Sequence, residues 1–352
     1  MASSCARPAI RPWPDLAKAM AEDPAPTDPV FDKLLSDPRV ALREPPGDMP
    51  LALVRDMANA FLARAIGPDA VVTDDTTVAG RSGKIPIRLY RPKPRQDLPA
   101  VVFVHGGGFV LGNLASHDAM CRSLADVTGA MVVAVDYALA PEHPFPRALH
   151  DVQDVVSWLR HHGASKGMDG ERIALAGDSA GGQIALAVAW AEANEGRAIA
   201  HVGLLYPLLD PSQESESAAA FAEGYMLTGS FVAYAWKSYA GGNPAAWQDP
   251  LFDVRLADWG GLSPTTVITA ECDPLRDEGE QLAADLARAG VAVAQRRYAG
   301  MIHGFAGLPH VTPAALDALQ YLGRQLAASL APKGSIAVSG APAMEDRRGE
   351  ES

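Results

Sequence analysis

Residues 171–191 read ERIALAGDSAGGQIALAVAWA. The stretch opens as a short apolar run, passes through small residues, and continues as a longer apolar segment. Within it, Gly177-Asp178-Ser179-Ala180-Gly181 fits the pattern G-x-S-x-G. A strand before that pattern and a helix after it are what a nucleophile elbow requires. The turn is tight, so the serine backbone is strained and its neighbours must be small; Gly177, Ala180, Gly181 and Gly182 meet that need. The hydroxyl of Ser179 then stands exposed over the positive end of the following helix. A glycine-rich turn around an ordinary serine is the competing reading, and the flanking strand and helix weigh against it.

Outward from the elbow, strand-like and helix-like segments alternate. Residues 71–78 and 84–90 read as an antiparallel pair on a sheet edge. Short apolar runs follow at 100–104, 131–135, 173–176, 202–206, 265–270 and 291–298. Helical spacing separates most of them, at 116–128, 147–161, 180–193, 277–289 and 313–328, and an amphipathic helix is expected over 49–66. Apolar strands alternating with helices predict a mostly parallel sheet covered on both faces, an α/β fold. About sixty residues between Tyr206 and Thr265 interrupt the alternation. They carry Phe221, Tyr225, Phe231, Tyr234, Trp236, Tyr239 and Trp247. An insertion of this kind above a sheet reads as a lid or binding wall, with a helical excursion packed on the core as the alternative.

His105-Gly106-Gly107-Gly108-Phe109 follows the run at 100–104. Three successive glycines are costly to order and let backbone N–H groups approach a ligand closely. In acyl transfer such amides bind the oxyanion together with the N–H after the nucleophile, here Gly107, Gly108 and Ala180. His105 reads as a residue that positions this loop. A phosphate-cradling G-x-x-x-x-G-K-[ST] loop is absent from the sequence.

A triad built on such an elbow runs serine, then acid, then histidine. Two acids after Ser179 end strands, Asp210 and Asp273. Asp273 is preferred, because Pro274 ends the strand there; Asp277, followed by Glu280, reads instead as a helix cap. His303 lies after the last strand, whereas His310 reads as a surface residue. An imidazole with an ordinary pKa of about 6.5 can take the serine proton near neutral pH.

The 352 residues are 48% hydrophobic and 20% charged, which excludes wholesale disorder. A net charge of -12 argues against nucleic acid as a partner and favours a neutral substrate. Cys5, Cys121 and Cys272 form no zinc-type spacing, and an odd, sparse set reads as reduced thiols. Without an apolar leader or a long apolar run, a cytoplasmic location and no membrane partner are expected. Residues 1–66 are expected to supply a proline-rich lead-in and cap helices, 67–331 the catalytic domain with a cap insertion at about 208–262, and 332–352 a disordered tail.

Taken together, HGGGF, GDSAGG, DPLRDE and YAGMIHGF resemble the bacterial hormone-sensitive-lipase-like esterases, family IV of the α/β-hydrolase fold. DYALAPEHPFP at 136–146 and GYMLT at 224–228 are similar to further stretches of that family, and the likeness runs from about 70 to 330. The resemblance implies a helical cap, hydrolysis of short- to medium-chain carboxylic esters without a metal or organic cofactor, and frequent homodimers through the last strand, near 291–298. Ala138 departs from it, standing where the family has arginine, so any brace from that side chain is missing. Lactone, carbamate or amide hydrolysis stays open on the same fold. A small-ligand receptor is disfavoured because serine, acid and histidine are all present.

Overall fold

Val101 and Phe103 point to one face of a sheet, Val102 and Val104 to the other, and all four are fully buried. A strand apolar on both faces needs a layer on each side, and the helices supply both. The computed structural model describes residues 27–45, 49–93, 95–197 and 199–332. The expected lead-in up to residue 26, and the tail beyond residue 332, lie outside the described residues.

Eight strands form one sheet: β1 (Val72–Gly80), β2 (Gly83–Arg91), β3 (Leu98–Val104), β4 (Met131–Val135), β5 (Met168–Asp178), β6 (Val202–Leu205), β7 (Thr265–Cys272) and β8 (Val293–Ile302). Their spatial order is β1-β2-β4-β3-β5-β6-β7-β8. The expected antiparallel edge pair is β1 and β2, joined by a two-residue turn between Gly80 and Gly83; β2 also runs antiparallel to β4, and the remaining pairs are parallel. The fold is that of an α/β hydrolase.

The helices described are α1 (Asp32–Leu35), α2 (Leu51–Leu62), α3 (Asp118–Thr128), α4 (Arg147–His162), α5 (Ala180–Asn194), α6 (Glu216–Ala220), α7 (Gly229–Ala240), α8 (Arg276–Arg288) and α9 (Pro313–Leu330). α4, α5 and α8 bury their apolar residues with one face of the sheet, α3 and α9 with the other. α5 is apolar nearly all round and correspondingly buried, as a helix enclosed on every side must be.

Register does most of the positioning. Val104 on β3 pairs with Gly177 on β5, Asp178 with Leu205 on β6, Leu205 with Ile268 on β7, and Cys272 with Ile302 on β8. The carboxyl ends of β3, β5 and β6 therefore finish at one level, while β7 and β8 run on past Ile268 and end together at Cys272 and Ile302. Strand order also reverses between β3 and β5, the place where open α/β sheets bind ligands.

Two expectations need correction. The last strand starts at Val293 rather than Val291 and runs on to Ile302, so His303 directly follows it. Asp277 does not cap α8: it sits in the first turn of that helix, accepts instead from the backbone N–H of Ser217 in the first turn of α6 at 2.7 Å, and pairs with Arg276. Glu280 reaches Arg297 and Thr269 instead of folding back on the helix start. No described helix is long and apolar enough to cross a membrane.

Candidate active site

Ser179 ends the turn between β5 and α5 with φ 52° and ψ -123°, a conformation that costs a non-glycine residue about 1–3 kcal/mol. Backbone hydrogen bonds hold it there. Its N–H donates to Leu205 O at 2.9 Å, and its carbonyl accepts from Gly182 N at 2.9 Å and Leu208 N at 3.1 Å. The small neighbours follow from crowding: a Cβ on Gly177 would strike the Gly181 backbone, and one on Gly181 would strike the Val104 carbonyl oxygen.

Asp273 immediately follows β7 and is fully buried. Its Oδ1 accepts from Leu275 N at 2.9 Å, and its Oδ2 lies 2.8 Å from His303 Nδ1. On the far side of the ring, His303 Nε2 lies 3.0 Å from Ser179 Oγ. A carboxylate only accepts, so Nδ1 donates to it, and Nε2 is left to accept from the serine hydroxyl. The Tyr206 ring meets the imidazole edge-on with centroids 4.9 Å apart. The competing acid, Asp210, is engaged elsewhere: it is paired with Arg255 and accepts from Ser212 N at 2.7 Å and Ser212 Oγ at 2.6 Å. His310 is exposed.

The loop after β3 carries Gly107 and Gly108 at φ 117° and 60°. Among the described residues, their N–H groups and that of Ala180 donate to no protein acceptor. Ala180 is the first residue of α5, where helix amides lack partners by geometry. Gly107, Gly108, Ser179 and His303 line one cavity, while Ala180 is buried just behind Ser179. His105 positions the loop as expected: its Nδ1 donates to Gly106 O at 2.8 Å, and its ring stacks on Tyr137 at 4.3 Å. Burial, with the charge of His117 added, pushes its pKa down to about 3, so it stays neutral.

A match to the family described by an alpha/beta hydrolase fold spans residues 101–307, from β3 to the turn beyond His303. The chain belongs to the α/β-hydrolase family. It is 37% identical to the esterase LipI of Mycobacterium tuberculosis over 87% of this chain and 95% of that one. It is 38% identical to an ethyl acetate hydrolase of Pseudomonas putida, over 70% and 80%. A thermostable esterase of Pseudomonas putida has the same fold with a TM-score of 0.82 at 31% identity, covering 88% of this chain and 99% of that one. The likeness to hormone-sensitive-lipase-like esterases read from the motifs is borne out by these relatives.

In this hydrolase the cavity has a volume of about 100 Å³. Leu42, Ala58 and Phe61 from the N-terminal segment form one wall. Met226, Leu227, Phe231, Val232 and Ala235 from the insertion form another. The two segments are zipped together: Leu42 N donates to Met226 O at 2.7 Å, and Thr228 Oγ1 donates to Leu42 O at 2.6 Å. The insertion thus serves both readings given from sequence. Phe231 lines the cavity, whereas Trp236 and Tyr239 pack with Phe109 and Phe252 in the core.

Four contributors carry no signal in the sequence. Ser116, His117 and Asp178 also line the cavity. Asp178 was legible only as the variable position of G-x-S-x-G, and Ser116 and His117 only as the start of a helix. Arg55 of α2 ties the cap to the glycine loop, donating to Val110 O at 2.7 Å and Ala140 O at 2.9 Å while pairing with Glu142. Where the family arginine is missing, Ala138 N donates to Asp151 at 3.0 Å, and Arg147 holds the same carboxylate at 2.9 Å. Cys272 is buried. Burial and the nearby Glu271 carboxylate raise its thiol to about 11, which keeps it protonated beside Asp273.

Proposed function

We propose that this carboxylic ester hydrolase cleaves short- to medium-chain esters through an acyl-enzyme, with Ser179 as nucleophile, His303 as general base and acid, and Asp273 as the residue that orients the imidazole. The observation that carries the reading is the unbroken chain from Ser179 Oγ to His303 Nε2 at 3.0 Å and from His303 Nδ1 to Asp273 at 2.8 Å. In the first half-reaction, Ser179 Oγ attacks the ester carbon and its proton passes to His303 Nε2. The carbonyl oxygen becomes an oxyanion facing the N–H groups of Gly107, Gly108 and Ala180. Collapse breaks the bond to the alcohol, which leaves with the proton from His303. In the second half-reaction, water attacks the acyl carbon, gives its proton to His303, and the acid departs as Ser179 regains a hydroxyl. Asp273 stays ionised and stabilises the imidazolium at both stages.

The cavity supports an uncharged substrate. Its walls are aliphatic and aromatic, and a desolvated charge on the ligand would find no counterion on them. Its charged and polar groups cluster at the floor, around Ser179. The homodimer implied by the family would use β8, which ends the sheet. A series of p-nitrophenyl esters from acetate to laurate tests the substrate reading. The highest kcat/KM is expected between acetate and octanoate, with a fall by laurate. Absence of turnover across the whole series contradicts the proposal.

A further inference from the structure

A second line of polar side chains runs beneath the glycine loop, and no step of the proposed reaction uses it. Asp178 precedes Ser179 and is buried. Its Oδ1 accepts from Gly106 N at 2.8 Å and lies 3.3 Å from His117 Nε2. The other ring nitrogen, Nδ1, lies 2.8 Å from Ser116 Oγ. Ser116 Oγ also lies 2.8 Å from Asn113 O and accepts from Asn113 N at 2.9 Å, so the ring is held on that side as well. Nε2 faces a carboxylate, which only accepts, so this nitrogen donates and His117 is paired with Asp178. The electrostatics agree: burial alone would raise the Asp178 carboxyl, yet the charge and hydrogen bond of His117, with the Gly106 N–H, hold it below the ordinary range.

Both ends of the Gly106 residue are fixed by this arrangement. Its N–H is held by Asp178 and its carbonyl by His105. Gly107 and Gly108 follow directly, so the direction of their amides is set from Gly106 onward. Asp178 is adjacent in sequence to Ser179, so its position relative to the nucleophile is also set. The pair therefore links the strand that carries the serine to the loop that carries the oxyanion donors.

We propose that His117 is a positioning residue for ester hydrolysis: by holding Asp178 it fixes the Gly106 amide and thereby aims the Gly107 and Gly108 N–H groups at the oxyanion. This rests on Ser179 being the nucleophile. The test compares His117→Ala and His117→Gln on p-nitrophenyl butyrate and on its thiono analogue, in which C=S replaces C=O. Sulfur is a weak acceptor, so a thiono ester draws little from the oxyanion donors. His117→Ala is expected to lose on the order of a hundredfold in kcat on the oxygen ester at little change in KM. It should lose far less on the thiono ester, so that the ratio between the two esters falls. His117→Gln, which keeps a donor toward Asp178, should recover part of that ratio, and it carries the test if the alanine variant fails to fold. Equal losses on both esters, or a change confined to KM, overturns the inference. Ser179→Ala, assayed alongside, separates the two levels: if it retains turnover, the nucleophile reading has failed, not this one.

Discussion

Replacing Ser179 by alanine is expected to lower kcat on p-nitrophenyl butyrate by about a millionfold, with KM nearly unchanged. On the proposed mechanism, loss of the nucleophile alone removes what the three residues achieve together, because the acyl-enzyme cannot form without it. The fold should survive the change. The backbone at this position is held by Leu205, Gly182 and Leu208, and the hydroxyl's hydrogen bond goes to His303. Unfolding by circular dichroism should therefore overlay the parent curve. Retained turnover in a correctly folded variant would remove Ser179 from the mechanism.

The second large effect belongs to Asp273→Asn, expected to cost about ten-thousandfold in kcat at neutral pH. An asparagine of the same shape can turn its amide nitrogen toward His303 Nδ1, which then holds the imidazole in the wrong tautomer and presents a proton, rather than a lone pair, to Ser179. Asp210→Asn is the matched control. Asp210 is equally buried, but it lies in the loop beyond β6, which stops at Leu205 rather than running to Asp210 as expected, and its partners are Arg255 and Ser212. That variant should lose thermal stability while keeping most of its kcat. A comparable loss of kcat in both variants would mean that the acid has been misassigned.

This contrast also shows what was legible in the sequence. The elbow at Ser179 could be read because its requirements are local: a strand, small residues, a helix. The acid could be chosen because Pro274 marks where β7 must stop, and the histidine because it follows the last strand. Their meeting depends on strand order and register, which set β7 and β8 beside β6 and carry them past the end of β5, and register is not written in any single segment. Strand ends were less legible. Gly300, at φ 68°, interrupts the strand pattern, yet β8 passes an irregularity there and pairs with β7 again at Ile302. Asp277 looked like a cap because Glu280 follows at the right spacing, but Ser217 and Arg297, distant in sequence, claim the two carboxylates.

Long-range pairing hid the rest. His117 sits where a helix begins, and nothing in its neighbours announces that Asp178 will face it across the loop. The cap wall behaves likewise. The aromatics of the insertion suggest a binding surface, but helical periodicity does not tell that Phe231 faces the cavity while Trp236 and Tyr239 turn into the core.

Active-site labelling with diethyl p-nitrophenyl phosphate, followed by peptide mass analysis, reads out whether Ser179 forms the covalent intermediate. The phosphoryl group should appear on Ser179 alone, and activity should fall in proportion to the label. Full inactivation with the label on another residue, or full activity with Ser179 labelled, would rule Ser179 out as the nucleophile.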